Sequence, residues 1–151
     1  MSKHAAAIEW SRAPHAADPK TFSRNHIATL AGGQQVNISS SPEFLGDAQC
    51  ADPEQMVVTA LASCHMLFFL AIADLKGFPV AHYADTPVGE LGKTDRGAAL
   101  TRITLAPRVT FVDQTPDAGT LAKIHDSAHK RCFIANSLTT EVVLDLGAAA
   151  S

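Results

Sequence analysis

A chain of 151 residues has room for one domain of common size, which buries roughly 70% of its unfolded surface. With 46% hydrophobic and 18% charged residues, and only 9 Gly and 8 Pro, the composition excludes a disordered or low-complexity chain. Twelve Lys+Arg against 15 Asp+Glu leave a formal charge of -3, so nothing global draws the chain to nucleic acid or anionic lipid.

In chain order, Met1 to Trp10 carries Lys3 and His4 but no apolar core of signal-peptide length, which makes the cytoplasm the expected compartment. Ala5 to Arg12 and Phe22 to Leu30 read as short strands. Gly32-Gly33 is a hairpin signal leading into Gln35 to Ser40, where Val36 and Ile38 alternate with polar residues. Asp52 then opens a long helix: it can N-cap, Pro53 suits the first helical position, and Gln55 completes a variant of the capping box. Lys76 and the left-handed-tolerant Gly77 close it, giving a central helix over 53–76 that is apolar nearly all round and therefore expected to be buried on most sides. Its stretch Met56 to Ala73 has the length and lack of charge of a short membrane span. Thr59, Ser63, Cys64 and His65 interrupt it, however, and no second span accompanies it, so a helix wrapped by its own domain is the preferred reading, with no membrane partner.

Beyond the helix, Phe78 to Leu91 and Leu100 to Asp113 form two longer strands joined by the polar turn Gly92 to Gly97, with Pro107 marking an edge or bulge. Leu121, Ile124 and Ala128 fall at helical spacing behind an Asp117 start, so Asp117 to Arg131 is a second helix, and Thr139 to Leu146 is a closing strand. The order is α+β, a single domain over 1–151 with an N-terminal hairpin region (1–51), the central helix (53–76), and C-terminal strands and helix (78–147).

Three cysteines are too few and too unpaired for a secreted disulfide framework; they point to a reducing compartment where thiols are either buried filler or chemistry. Cys64 lies mid-helix, where the helix dipole contributes little, so it becomes a thiolate at neutral pH only beside a cation. His65 is its neighbour in sequence but points about 100° away on the helix, and reads as a hydrogen-bonded core or interface histidine rather than its base. His125, His129 and Cys132 fall at i, i+4 and i+7 on one helical face with ligand types that zinc accepts, so a zinc-binding domain is one alternative. No phosphate-binding glycine loop, dinucleotide fingerprint or serine-nucleophile elbow occurs.

The run Asp52-Pro53-Glu54-Gln55 followed by Ala60-Leu61-Ala62-Ser63-Cys64-His65-Met66, together with Ala128-His129-Lys130-Arg131-Cys132-Phe133-Ile134-Ala135-Asn136-Ser137, resembles the osmotically inducible protein C and organic hydroperoxide resistance (OsmC/Ohr) family. Phe22-Ser23-Arg24-Asn25-His26 fits that family's N-terminal hairpin. The resemblance implies antiparallel sheets packed around a long central helix, in an intertwined homodimer. It also implies a cytoplasmic antioxidant thiol peroxidase of the stress response, needing no cofactor and no metal. Cys64 matches the peroxidatic position, whose sulfenic acid is resolved as a redox-active disulfide by the cysteine matching Cys132. Glu54 matches the attendant glutamate and Arg24 the attendant arginine, with Arg12 as the second choice. The implied partners are an organic hydroperoxide substrate and a thiol or dithiol reductant, a lipoylated protein being one such donor. His65 departs from the version of the motif with an aromatic residue after the cysteine.

Ten residues place Glu54 about 15 Å along the helix axis from Cys64 and about 80° round it. If Glu54 serves the thiol, it does so across a dimer or the helix is broken; the preferred expectation is two antiparallel central helices that bring each Glu54 to the partner's Cys64, so that the site exists only in the dimer. Leu67, Met66, Phe68 and Phe69 make the surroundings apolar; the aromatics read first as core, and the preference for alkyl or lipid hydroperoxides over hydrogen peroxide is chiefly what the resemblance implies. The competing reading is a non-enzymatic dimer with structural or oxidant-sensing thiols that binds an apolar small molecule. Cys50, in the polar loop Gly46 to Asp52, is left without a role.

Overall fold

The computed structural model describes residues 1–147. They fall into two compact units, divided in the chain after Met56. In the N-terminal unit three short strands, β1 (Ala7–Glu9), β2 (His26–Thr29) and β3 (Gln35–Ile38), form an antiparallel sheet in that order. Ala7 faces Thr29, and Thr29 in turn faces Gln35. The β2–β3 connection is wider than a two-residue hairpin: Ala31–Gly33 is a 3-10 turn, and both glycines take left-handed φ, 72° and 78°. Ala28, Ile38 and Ser39 are buried in this unit, with Ser39 Oγ accepting the Asp47 N–H at 3.1 Å.

The central helix α1 (Pro53–Leu75) begins and ends as the local chemistry dictates. Asp52 Oδ1 accepts the Gln55 N–H at 2.7 Å, and Gln55 Oε1 accepts the Asp52 N–H at 3.1 Å, a reciprocal box that satisfies two amides the helix leaves unpaired. At the other end Gly77 adopts φ 81°, and the Phe78 N–H turns back to the Ala73 carbonyl at 2.9 Å. An L side chain is strained at that φ, which is why glycine stops the helix.

Burial along α1 differs from the expectation of a helix covered on most sides. Val58, Leu61, His65, Phe69, Ile72 and Ala73 form one buried stripe, yet only 33% of the most apolar 18-residue window is buried. By length and composition this helix could cross a membrane; in the fold it is a core helix with one covered face.

Both of the long strands expected after α1 are broken in two. Phe78 to Leu91 divides into β4 (Val80–Ala84) and β5 (Val88–Thr94), and Leu100 to Asp113 divides into β6 (Gly97–Leu105) and β7 (Arg108–Phe111). Pro87 and Pro107 sit at the breaks, where neither can donate to a ladder, and the Asp85 side chain bridges them by accepting the Ala106 N–H at 2.8 Å. The breaks let β4 pair with β7 and β5 with β6, each antiparallel, in separate sheets. Irregular registers occur at Val80/His82 and Glu90/Leu91 rather than at Pro107. The closing strand β8 (Glu141–Leu144) lies parallel to β6, an exception to the all-antiparallel expectation.

The second helix α2 (Ala118–Arg131) is N-capped by Asp117, whose Oδ1 accepts the Thr120 N–H at 2.8 Å. Two core clusters result. One joins Val58 and Leu61 of α1 to Ile103, Leu105 and Cys132; the other joins Phe69, Ile72 and Ala73 to Ile124 and Ala128 of α2. Replacing the cap, Asp52→Ala, should lower stability by about 1 kcal/mol and shift the urea midpoint without changing the slope of the transition.

Candidate active site: two thiols beneath an apolar cavity

Cys64 and Cys132 converge on the first of these clusters. Cys132 caps the C-terminus of α2, its N–H bonded to the His129 carbonyl at 3.2 Å, and is fully buried against residues of α1 and β6. Cys64 projects from α1 beside the buried stripe, half-buried and packed against the cluster that contains Cys132. Both are free thiols. Burial pushes the Cys132 thiol up from its ordinary pKa and the Cys64 sulfur adds to this, while the Ala135 N–H, at 3.3 Å from Cys132 Sγ, opposes it. Cys132 is therefore a neutral thiol at rest.

Cys64 also opens onto a cavity of about 460 Å³ walled by Ala60, Leu67, Phe68, Phe133 and Ile134. Phe68 and Phe133 meet edge to face at 5.1 Å. No charged side chain lines this space. Leu67 and Phe133 are 60% and 72% exposed, so the mouth of the cavity is an uncovered apolar face. The four apolar residues around Cys64 divide: Leu67 and Phe68 line the cavity, Met66 does not, and Phe69 is fully buried in the second cluster, as the core reading of the aromatics expects. Phe133, which the sequence marks only as a member of the second cysteine motif, is also a wall of the cavity, a placement that depends on its contact with Phe68 of α1.

Behind the thiols lies a second polar feature. His65 and His125 are both buried, and His65 Nε2 lies 3.0 Å from His125 Nδ1. Phe69 packs on the His125 ring at 4.2 Å. His65 Nδ1 is buried without a partner, and an unpaired acceptor is tolerated better than an unpaired donor. The proton consequently belongs on His65 Nε2, donating to His125 Nδ1. Desolvation lowers both pKa values from 6.5 to about 4, with His129 adding to the effect at His65 and His65 at His125. The zinc alternative fails on this geometry. His125 turns inward to His65 instead of joining His129 and Cys132, and among the described residues no group of three His, Cys, Asp or Glu side chains is assembled for a metal.

The remaining expected site residues lie in the N-terminal unit or at the start of α1. Arg24 Nη1 donates to Thr21 Oγ1 at 3.1 Å and to the Phe22 carbonyl, and its guanidinium lies 4.2 Å from the Phe22 ring centroid. Arg12 approaches the same ring at 5.7 Å, so the two candidate arginines share one aromatic platform, which Trp10 meets edge-on. Glu54 is half-buried in the first turn of an unbroken α1 and cannot reach the Cys64 of its own helix. Cys50 lines a separate, polar cavity of about 560 Å³ with Asn25, His26, Gln35 and Asn37, where burial and the Asp47 charge push its thiol up.

A family model described as OsmC-like protein matches residues 46–147, which include α1, both thiols and the His pair. The chain belongs to the OsmC-like family. Its fold is correspondingly similar to that of an OsmC-like protein of unknown function from Vibrio cholerae, at 40% identity over 96% of this chain and 99% of that one, with a TM-score of 0.88. An organic hydroperoxide resistance protein OsmC from Legionella pneumophila shares 17% identity over 95% and 96% of the two chains, with a TM-score of 0.74. The organic hydroperoxide resistance protein OhrB of Bacillus subtilis shares 16% over 97% and 98%, with a TM-score of 0.69. Among curated proteins, no relative matches the chain.

The His pair gives this OsmC-like protein a defined acid response. Both imidazoles are neutral in the folded state down to about pH 4, whereas the unfolded chain takes up protons from about 6.5. The pair leaves stability unaffected above pH 6.5. Between 6.5 and 4 the unfolded state binds more protons and stability falls, levelling below 4. Urea midpoints measured from pH 7 to 4.5 should decline, and the decline should be shallower in the double variant His65→Leu/His125→Leu.

Proposed function

We propose that this protein is a thiol peroxidase that reduces organic hydroperoxides to alcohols. The observation that carries the reading is the unequal environment of two adjacent thiols: Cys64 faces an apolar cavity, and Cys132 waits beside it, sealed from solvent. In the first step the Cys64 thiolate attacks the terminal oxygen of ROOH. An S–O bond forms, the O–O bond breaks, and the alkoxide leaves as ROH once protonated. The Cys132 sulfur then attacks the Cys64 sulfenic acid, forming the disulfide and releasing water. A dithiol donor, a lipoylated protein being one class, returns two electrons and two protons and restores both thiols.

The apolar walls favour an alkyl chain, and they hold no charge of their own, so the cation that stabilises the thiolate comes from outside the cavity. We assign that role to Arg24, with Arg12 in reserve, and assign Glu54 to holding the guanidinium by a bidentate pair. We assign Glu54 to the thiol of a second protomer in a homodimer that covers the face around Leu67 and Phe133, a reading supported by the unbroken α1 and by the exposure of that apolar face. The relatives named for organic hydroperoxide resistance support this chemistry at the level of the family.

One equivalent of cumene hydroperoxide should remove two hydrogens from the protein mass, and a peptide map should place the new bond between Cys64 and Cys132. Cys64→Ser should abolish peroxide consumption, whereas Cys132→Ser should stop at a dimedone-reactive Cys64. Two persistent free thiols with no peroxide consumed would instead support the binding-protein reading. Arg24→Ala should slow peroxide consumption by about tenfold or more while leaving the urea midpoint nearly unchanged. An unchanged rate would pass the role to Arg12.

A further inference from the structure

We propose that His65 and His125 are positioning residues for disulfide closure: their hydrogen bond locks α2 to α1 in the register that holds Cys132 against Cys64. The inference uses the peroxidase reading only to name the step it serves.

Each helix contributes one histidine and one cysteine. On α1 they are adjacent, Cys64 and His65. On α2, His125 and the capping Cys132 are seven residues apart, about 10.5 Å along the axis and only about 20° apart around it, so a single face of α2 delivers both. Two associations therefore cross the same seam: Cys64 packs on the cluster that holds Cys132, and imidazole bonds to imidazole. His65 lies between Leu61 of the first cluster and Phe69 of the second, and the α1–α2 contacts beyond it, Phe69, Ile72 and Ala73 on Ile124 and Ala128, are entirely apolar.

The attraction in apolar contacts of this kind is non-directional. A hydrogen bond between two buried rings is directional, since a small displacement leaves a donor and an acceptor unpaired where no water replaces them. The pair fixes a direction that the rest of the seam leaves loose. Disulfide closure needs such a fix because it demands Cβ atoms about 3.8 Å apart and a narrow dihedral. Closure also competes with a second hydroperoxide, which would carry the Cys64 sulfenic acid on to sulfinic acid. A misplacement on the scale of 1 Å is enough to slow such a step by up to about a hundredfold.

The test separates closure from peroxide chemistry. Diamide closes vicinal thiols without peroxide, taking their two hydrogens to become the hydrazine. His125→Leu fills the space but removes the bond, and His125→Asn keeps an acceptor near the Nδ1 position. In folded protein, His125→Leu should close the Cys64–Cys132 bond with diamide about tenfold or more slowly than wild type, and His125→Asn should recover most of that loss. With excess cumene hydroperoxide, His125→Leu should consume the first equivalent at the wild-type rate and then accumulate Cys64 sulfinic acid. If His125→Leu does not fold, His65→Leu against His65→Gln makes the same comparison from the donor side. Wild-type closure rates in a folded leucine variant would overturn the proposal, as would a conservative variant as slow as the leucine one. Wild-type protein that closes with diamide but not with hydroperoxide would remove the peroxidase reading and leave this positioning role standing.

Discussion

An apolar helix of 23 residues buries one stripe of its surface and leaves the rest of its apolar side chains at least partly exposed. This division shapes the rest. The covered stripe from Val58 to Ala73 collects β6, β8 and α2 into two clusters. The uncovered side carries Ala60, Leu67 and Phe68, and it is there that Cys64 meets its cavity. A thiol set at the boundary between a dry core and an open apolar face is reachable from one direction and backed by fixed neighbours from the other. The same boundary separates the two sulfurs, one accessible and one sealed.

The polar groups in this seam are few and correspondingly consequential. Burial disfavours the charged form of two imidazoles and holds their pKa values near 4, and the two rings bond to each other. An all-leucine seam would be as apolar and less particular about register. The absence of charge around the cavity has a parallel meaning: its walls offer apolar contact alone, and in the proposed reaction the cation beside Cys64 comes from elsewhere. That division of labour is what gives a second protomer, bringing its own Glu54, a chemical as well as a packing role in the proposed reaction.

Much of this was legible in the sequence, for local reasons. The capping box at Asp52, the glycine stop at Gly77 and the Asp117 cap are interactions within four or five residues, so their residue types suffice. The breaks at Pro87 and Pro107 were less legible. An apolar alternation continues across both, and only the pairing of β4 with β7 and of β5 with β6 decides that the chain changes sheets there. The face His125, His129 and Cys132 shows the same difficulty in side chains. Helical spacing put three metal-binding types in line, but His65, sixty residues away, claimed the first of them.

By itself the sequence determined the helix with its ends, the α+β order, and the two cysteines that merit attention, because each depends on neighbours close along the chain. Tertiary structure alone decided that Cys132 is buried and Cys64 is not, that Phe133 walls the cavity while Phe69 fills the core, and that two histidines distant in sequence share a hydrogen bond. Those outcomes depend on how α2 crosses α1. That crossing is set by the summed packing of many side chains, a quantity no short stretch of residues contains.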